Sequence, residues 1–250
     1  MTDQRLNEVP CIQGDATWFT ARVGSVTGSR VAEALALLKR GGESAARRNY
    51  RLDLVIERLT GKAVEHYVSA EMEWGTANEP LARAAYEERT GAEVELVGYV
   101  LHPTIEWAGC SPDGLVGADG LVEFKCPSTR NHLEYMLDDC VPADYLPQMH
   151  WQLACCPGRK WCDFVSFDPR LPEDLQLFVC RLERDEQRIA IVEAEVRKFL
   201  AEVDEMVKRL RVGKLEQSLT LSIAKARAGL PFAVTDEDVA AVMGRGNDAP

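Results

Sequence analysis

The chain has 250 residues, of which 46 % are hydrophobic and 28 % charged, and its net charge is −11. This composition is typical of a globular protein with a substantial core. Neither a long apolar run nor a basic-then-apolar leader is present, so we expect a cytoplasmic protein, no membrane partner and eight reduced cysteines. The acidic charge argues only weakly against a nucleic-acid partner, because an enzyme can confine its Lys and Arg residues to a channel.

Two short helices are predicted near the N-terminus. Asp15 is a good N-cap for a helix that carries Trp18 and Arg22. A second helix is predicted over residues 30–39, which places Ser29 at its N-terminus. Free backbone N–H groups at such a position favour an anion such as phosphate, although an ordinary Ser cap has the same pattern.

Two longer amphipathic helices are predicted next, over residues 49–59 and 75–89. In the second helix, Glu79 lies on the same side as Ala82 and Tyr86. Glu79 therefore lies at the margin of the buried face, where it is either a solvated helix residue or part of a site.

The most informative stretch is a hairpin that begins after Asp113. Its turn is predicted at residues 117–120 and its second strand at residues 121–126, where alternation puts Glu123 and Lys125 on one face. The hairpin brings Asp113 close to Glu123, and oxygen ligands of this kind suit Mg²⁺ or Mn²⁺. The alternative is a surface salt bridge, but charges in an apolar strand are costly to bury unless they are paired or bind a metal.

The remaining predicted elements complete an α/β fold with a central mixed sheet flanked by helices. Strands are predicted at residues 94–101, 161–167 and 177–182, and helices at residues 132–137, 145–155, 185–211, 218–229 and 235–243. The helix at residues 145–155 carries Gln148 and Gln152 one turn apart on one face. Gly213 is expected to end the long helix that precedes it.

A series of separated motifs occurs in an order that is typical of one nuclease family. The motifs are Gln13-Gly14-Asp15-Ala16-Thr17-Trp18, Arg22-Val23-Gly24, Thr27-Gly28-Ser29, Trp74-Gly75, Asn78-Glu79, Cys110-Ser111-Pro112-Asp113-Gly114-Leu115, Glu123-Phe124-Lys125-Cys126-Pro127, Tyr145-Leu146-Pro147-Gln148 and Phe167-Asp168-Pro169-Arg170. Together they resemble the phage lambda exonuclease (YqaJ-like viral recombinase) family of the PD-(D/E)XK nuclease superfamily. The resemblance covers roughly residues 12–210, so we expect an exonuclease domain over residues 1–212 and a partly helical extension over residues 213–250, to which it assigns no role.

The resemblance implies a restriction-endonuclease-like core and a Mg²⁺-dependent exonuclease, with Mn²⁺ able to substitute. Such an enzyme digests one strand of linear double-stranded DNA from its 5′ end, releases mononucleotides and leaves a 3′ single strand for an annealing protein. It also implies a ring-shaped homotrimer around the duplex, and a phage or prophage protein in the cytoplasm of a bacterial host.

The resemblance also implies roles for the residues of the hairpin. Asp113 and Glu123 would bind metal together with the carbonyl oxygen of Phe124, and Glu79 would complete a second metal site. Two metal ions would stabilise both the attacking and the leaving oxygen. Lys125 would orient the attacking water and offset charge in the transition state.

Three further residues have roles that are implied in the same way. Gln148 would hold Lys125 or the water, and Gln152 is less suited to this position. Arg22 and Ser29 match the family's pocket for the terminal 5′-phosphate, for which an Arg contact and a helix N-terminus are both suitable.

Three other functions are compatible with parts of this pattern. An iron–sulfur nuclease of the same superfamily would use Cys11, Cys155, Cys156 and Cys162, but two of these are adjacent and no C-x₂-C spacing occurs. A site-specific endonuclease would use the same metal site. A non-catalytic DNA-binding subunit would have no need for an intact Asp113, Glu123 and Lys125.

Overall fold

The computed structural model describes residues 6–38 and 41–227. Its helices are α1 (Ala16–Arg22), α2 (Val31–Leu35), α3 (Ala45–Thr60), α4 (Ala70–Thr90), α5 (Thr129–Asp138), α6 (Leu146–Cys155) and α7 (Glu186–Arg227), with 3₁₀ turns at Gly28–Arg30 and Glu173–Leu175. Its strands are β1 (Glu8–Val9), β2 (Val94–Glu95), β3 (Tyr99–Leu101), β4 (Gly109–Cys110), β5 (Gly114–Val116), β6 (Gly120–Lys125), β7 (Trp161–Phe167) and β8 (Leu177–Glu183). The chain divides into two compact units after Asp204, and every predicted site residue lies in the first.

The central sheet has the strand order β2-β5-β6-β7-β8. Strands β6 and β7 are parallel, whereas the other neighbours are antiparallel. The connection between β6 and β7 contains α5 and α6, because parallel neighbours need a long crossover. The predicted α/β fold with a mixed sheet flanked by helices is therefore confirmed.

The two faces of β6 contact different helices. Val122 and Phe124 pack with Ala82 and Tyr86 of α4 in one hydrophobic cluster. Glu123 points to the opposite face, where its carboxylate meets α6, because successive side chains of a strand alternate. The predicted alternation thus places a carboxylate between the sheet and α6.

Residues 94–101 form two separate strands, so the prediction of one strand is wrong. Its first part is β2, which pairs with β5 in the central sheet, and its last part is β3, which lies between β1 and β4 in a second, antiparallel sheet. Between them, a Cβ atom on Gly98 would lie 2.7 Å from the carbonyl oxygen of Val9. This close backbone approach requires glycine and leaves no trace in the hydrophobic pattern.

Side-chain caps fix where two of the site helices begin. The carboxylate of Asp15 accepts the backbone N–H of Trp18 (2.6 Å), so α1 begins as predicted. Ser69 accepts the N–H of Met72 in the same way (3.3 Å), and α4 therefore begins at Ala70 and not at residue 75.

Gly213 does not end the last helix, contrary to the prediction. Helix α7 continues to Arg227, because a single Gly costs a helix only about 1 kcal/mol and good helix formers surround it. The helix predicted at residues 218–229 is thus the end of α7 as far as it is described, and the one predicted at residues 235–243 lies outside the described residues. The domain boundary at residue 212 stays a prediction. None of the helices in the described part of the chain is long and apolar enough to cross a membrane.

Candidate active site

The hairpin of β5 and β6 brings Asp113 to the strand that carries Glu123. Gly114 pairs with Val122 across the hairpin, and Asp113 directly precedes this pair. Its Oδ2 atom accepts the backbone N–H of Phe124 (2.7 Å). The expected proximity of Asp113 to the acidic strand is therefore confirmed.

Glu123 is almost completely buried, with 1 % of its surface exposed. Its Oε1 atom accepts hydrogen bonds from Lys125 Nζ and from Gln148 Nε2 (2.5 Å). Its Oε2 atom accepts one from Gln152 Nε2 (2.5 Å). A buried carboxylate is tolerated when it is paired and hydrogen-bonded, and the alternative of a salt bridge on the surface is therefore wrong.

The charges of this site strongly affect one another. Desolvation and the neighbouring Glu123 hold the pKa of Asp113 well above its usual value. The same two causes raise the pKa of Glu79 on α4, so its side chain interacts electrostatically with the hairpin, and its role as a metal ligand stays a prediction. Desolvation favours the neutral form of Lys125, but Glu123 and Asp113 outweigh it, and the pKa of Lys125 is raised. Lys125 therefore interacts with all three carboxyl groups, and Arg83 is a further cation near Glu79.

A cavity of about 370 Å³ opens beside these charges and is lined by Glu79, Asp113 and Phe124, among others. No three Cys, His, Asp or Glu side chains within residues 6–38 and 41–227 converge on a single point as a preassembled metal site. Its lining nevertheless includes the carboxyl oxygens of Glu79 and Asp113, and a cation would relieve the mutual repulsion of these carboxylates. The residues present therefore fit a hard divalent cation.

The four cysteines of the iron–sulfur alternative have other surroundings. Cys11 donates to the carbonyl oxygen of Val9 (3.2 Å), and Cys155, Cys156 and Cys162 are buried. In the described part of the chain, none of them belongs to a cluster of three or more Cys, His, Asp or Glu side chains that could hold a metal ion. This arrangement gives no support to an iron–sulfur cluster.

Arg22 lies in a second cavity, of about 130 Å³, that Thr27, Arg30 and Tyr50 also line. Its guanidinium stacks on the ring of Trp18 at 3.6 Å, and its Nε atom is buried and has no hydrogen-bond partner in the described structure. Desolvation lowers the pKa of Arg22. An anion in this cavity would supply the missing acceptor.

Ser29 lies in a 3₁₀ turn that runs directly into α2, and not at the N-terminus of a long helix as predicted. It is exposed, within the 3₁₀ turn Gly28–Arg30, and the following helix α2 has only five residues. The chain turns back after α2 and forms a bridge between Leu37 and Glu43. Ser29 is not among the residues that line the cavity of Arg22, and its contact with phosphate stays a prediction.

Two residues to which the sequence assigned no role contact the predicted site residues, and one of them connects the two regions. Trp18, which carries Arg22 on its ring, donates its Nε1–H to Ser111 Oγ (2.8 Å), two residues before Asp113. Tyr145, immediately before α6, places its ring 5.3 Å from Lys125 Nζ. Both residues belong to motifs of the resemblance, but only the folded chain gives them partners.

The chain is similar to a viral recombinase family and to solved exonuclease structures. The profile of the YqaJ-like viral recombinase domain matches residues 17–158. The chain is similar to an alkaline exonuclease (LHK-Exo) from Laribacter hongkongensis, with 45 % identity and a TM-score of 0.75 over 81 % of this chain and 100 % of that chain; a complex of LHK-Exo with dAMP matches equally. A phage-related exonuclease from Haemophilus somnus 129PT shares the fold at 13 % identity and a TM-score of 0.57, over 74 % of this chain and 96 % of that chain. No curated protein matches the chain.

Proposed function

Since the chain belongs to the YqaJ-like viral recombinase family and is thus a nuclease, we propose that it is a Mg²⁺-dependent exonuclease on linear double-stranded DNA. It would degrade one strand in the 5′-to-3′ direction and leave a 3′ single strand for recombination by strand annealing. The released products would be mononucleotides, the class of molecule to which the dAMP bound by LHK-Exo belongs.

The observation that carries this proposal is the environment of Glu123. A carboxylate with 1 % exposure accepts hydrogen bonds from an ammonium group and two amides, and two further carboxyl groups lie close enough to shift in pKa. If these charges served only to stabilise the fold, each carboxylate would be expected to have its own cationic partner. The surplus of carboxylates beside a cavity is the arrangement that a metal-dependent hydrolase needs.

Asp113, Glu123, Glu79 and the carbonyl oxygen of Phe124 would hold the divalent cations. When bound, Mg²⁺, or Mn²⁺ in its place, would lower the pKa of a bound water and stabilise the attacking and leaving oxygens. The chain positions this set through the Phe124 N–H, which fixes Asp113.

Lys125 would orient the attacking water and offset the negative charge that develops on the phosphate. Its ammonium group keeps its proton because Glu123 and Asp113 raise its pKa. Gln148 and Lys125 both donate to Oε1 of Glu123. Gln148 would therefore keep the carboxylate in the position in which it binds the ammonium group.

Arg22 and Ser29 would bind the terminal 5′-phosphate. The support for Arg22 is its buried Nε atom without a partner in the described structure and the hydrogen bond that joins Trp18 to Ser111 beside the hairpin. A phosphate held there would set the distance between the DNA end and the metal site. This contact is the physical basis that we propose for digestion from the 5′ end.

The decisive experiment uses linear duplex DNA labelled at either its 5′ or its 3′ ends, with Mg²⁺. We expect early release of the 5′ label as a mononucleotide and late release of the 3′ label. Early release from the 3′ end would refute the polarity, and absence of release from both ends would refute the exonuclease.

A covalently closed plasmid separates the exonuclease from a site-specific endonuclease. We expect the closed circle to stay intact, because the proposed phosphate contact needs a DNA end. The same plasmid, linearised once, should be degraded. Cleavage of the closed circle into defined fragments would favour the endonuclease.

We also propose that the protein acts as a homotrimer around the duplex, together with a single-strand annealing protein, in the cytoplasm of a bacterial host. These assignments rest on the family resemblance. Light scattering of the free protein would test the trimer, and a mass of one chain, 27.8 kDa, would contradict it.

A further inference from the structure

Gln152 has an environment that the proposed chemistry does not yet explain. It lies on α6 with no surface exposed, and its Nε2 atom donates to Oε2 of Glu123 (2.5 Å). Its Oε1 atom accepts from the thiol of Cys162 on β7 (3.7 Å), a normal distance for a sulfur donor. Both ends of this buried amide are therefore engaged.

The two neighbours of Gln152 allow one orientation of its amide. An ionised carboxylate accepts hydrogen bonds only, so the NH₂ group must face Glu123. A reversed amide would set its oxygen against the carboxylate and leave the thiol of Cys162 without an acceptor. The register of β6 and β7 pairs Leu121 with Cys162, which places Cys162 on the same face as Glu123.

The donors to Glu123 are divided unequally between its two oxygens. A carboxylate offers about four acceptor positions, two on each oxygen. Oε1 uses both of its positions for Lys125 and Gln148. Oε2 uses one for Gln152, and among the described residues no second donor to Oε2 is found. The remaining acceptor position of Glu123 therefore belongs to Oε2.

We infer that Gln152 is a positioning residue, oriented by Cys162, that fixes the carboxylate plane of Glu123 and so reserves the second acceptor position of Oε2 for the metal. The inference rests on the proposed metal-dependent function. The two amides on this helix face differ in their surroundings. Gln148 is partly exposed and donates to Oε1 of Glu123, which also accepts from Lys125, whereas Gln152 is fully buried and donates to Oε2.

The test measures the affinity of the full-length protein for Mn²⁺ without DNA, by electron paramagnetic resonance. Gln152→Met keeps the volume but removes the donor, and loss of such an outer partner of a metal ligand weakens metal binding by about 10- to 100-fold. Gln148→Met should weaken it less, because Lys125 still holds Oε1. Thermal unfolding of each variant shows whether the fold is retained.

Cys162 provides the graded version of this test. Cys162→Ala should weaken Mn²⁺ binding in the same direction as Gln152→Met but less, and Cys162→Ser, which restores a donor, should recover part of the loss. The matched control is Cys155→Ala, since Cys155 is also buried but its thiol interacts with Cys110 and, among the described residues, forms no side-chain hydrogen bond with Gln152 or Glu123. This control should bind Mn²⁺ like the wild type.

Wild-type Mn²⁺ affinity in a folded Gln152→Met would overturn the inference. If Gln152→Met does not fold, equal affinities of Cys162→Ala and Cys155→Ala would overturn it instead. A wild type that binds Mn²⁺ and shows the expected order of variants, yet leaves linear duplex intact, would refute the proposed exonuclease and leave the positioning role in place.

Discussion

The surroundings of Glu123 and of Arg22 are joined through Trp18 and Ser111, but their polar groups are satisfied to different degrees. Both oxygens of Glu123 accept hydrogen bonds from side chains of the protein itself. Arg22 has a buried Nε atom with no acceptor in the described part of the structure. The protein thus assembles the first region from its own groups, whereas the second leaves a donor for an outside anion. We therefore expect the first to determine the chemical step and the second to determine which DNA ends are used.

The largest effect is expected from substitution of Glu123. Glu123→Gln replaces an anionic acceptor by an amide that cannot accept three donors or bind a cation as well, so hydrolysis of linear duplex in Mg²⁺ should fall by more than about 10²–10³-fold. Binding of the duplex, measured in Ca²⁺ by fluorescence anisotropy, should be retained. The matched control is Glu88→Gln on the exposed face of α4, which should keep the wild-type rate. Substantial turnover by Glu123→Gln would exclude the assigned role.

A smaller effect, selective for one kind of DNA end, is expected at Arg22. A hydrogen bond to a charged partner contributes about 1.5–3 kcal/mol, so Arg22→Ala should slow digestion of 5′-phosphorylated duplex by about 10- to 100-fold. Duplex with 5′-hydroxyl ends should be affected far less, because it has no terminal phosphate to lose. The two substrates are compared as kcat/KM in the same preparation, and equal slowing of both would remove the phosphate assignment.

The sequence predicted the Glu123 region better than the Arg22 region, for physical reasons. Alternation along β6 and the turn after Asp113 are local features, so the placement of Asp113, Glu123 and Lys125 follows from short-range pattern alone. Gln148 and Gln152 lie on one helix face by spacing, but which amide meets which oxygen depends on how α6 packs on the sheet. Such pairings between distant segments have no local signal.

The errors at the Arg22 region and at the small sheet have different causes. The helix predicted over residues 30–39 would have continued by propensity, but the chain ends it at Leu35 and turns back to form a bridge with Glu43. The strand predicted over residues 94–101 divides where Gly98 packs against the backbone of another strand. At α2 the helix ends in a local turn, in which the Leu38 N–H donates to the carbonyl oxygen of Gly42, whereas at Gly98 a contact between distant segments divides the strand. The first error weakens the assignment of Ser29 but leaves that of Arg22 intact.

Trp18 tests whether the two regions are coupled. Trp18→Phe keeps an aromatic ring under Arg22 but removes the hydrogen bond to Ser111 Oγ, and a neutral hydrogen bond is worth about 1 kcal/mol, or about fivefold in rate. We expect this loss in kcat/KM on 5′-phosphorylated duplex, with Mn²⁺ affinity unchanged. Trp161→Phe on β7, outside both regions, is the control. A loss of Mn²⁺ affinity in Trp18→Phe would show that the two regions are not separable.

The smallest effect is expected in the metal-free protein, where the surplus of carboxylates should be a source of instability. Because desolvation and Glu123 raise the folded-state pKa of Asp113 above its unfolded value of about 4, the contribution of this group to stability is fully present below that unfolded pKa. It is lost as the pH rises through the folded-state pKa.

Asp113→Asn removes the charge, so in EDTA its Tm should exceed that of the wild type by at least about 2 °C at pH 8, and by less at pH 5. Mg²⁺ should raise the Tm of the wild type but not that of Asp113→Asn, since only the wild type retains the repulsion that a cation relieves. A variant that is less stable than the wild type in EDTA at pH 8 would mean that the hydrogen bond from Phe124 outweighs the repulsion, and the carboxylates would then not need a cation for relief.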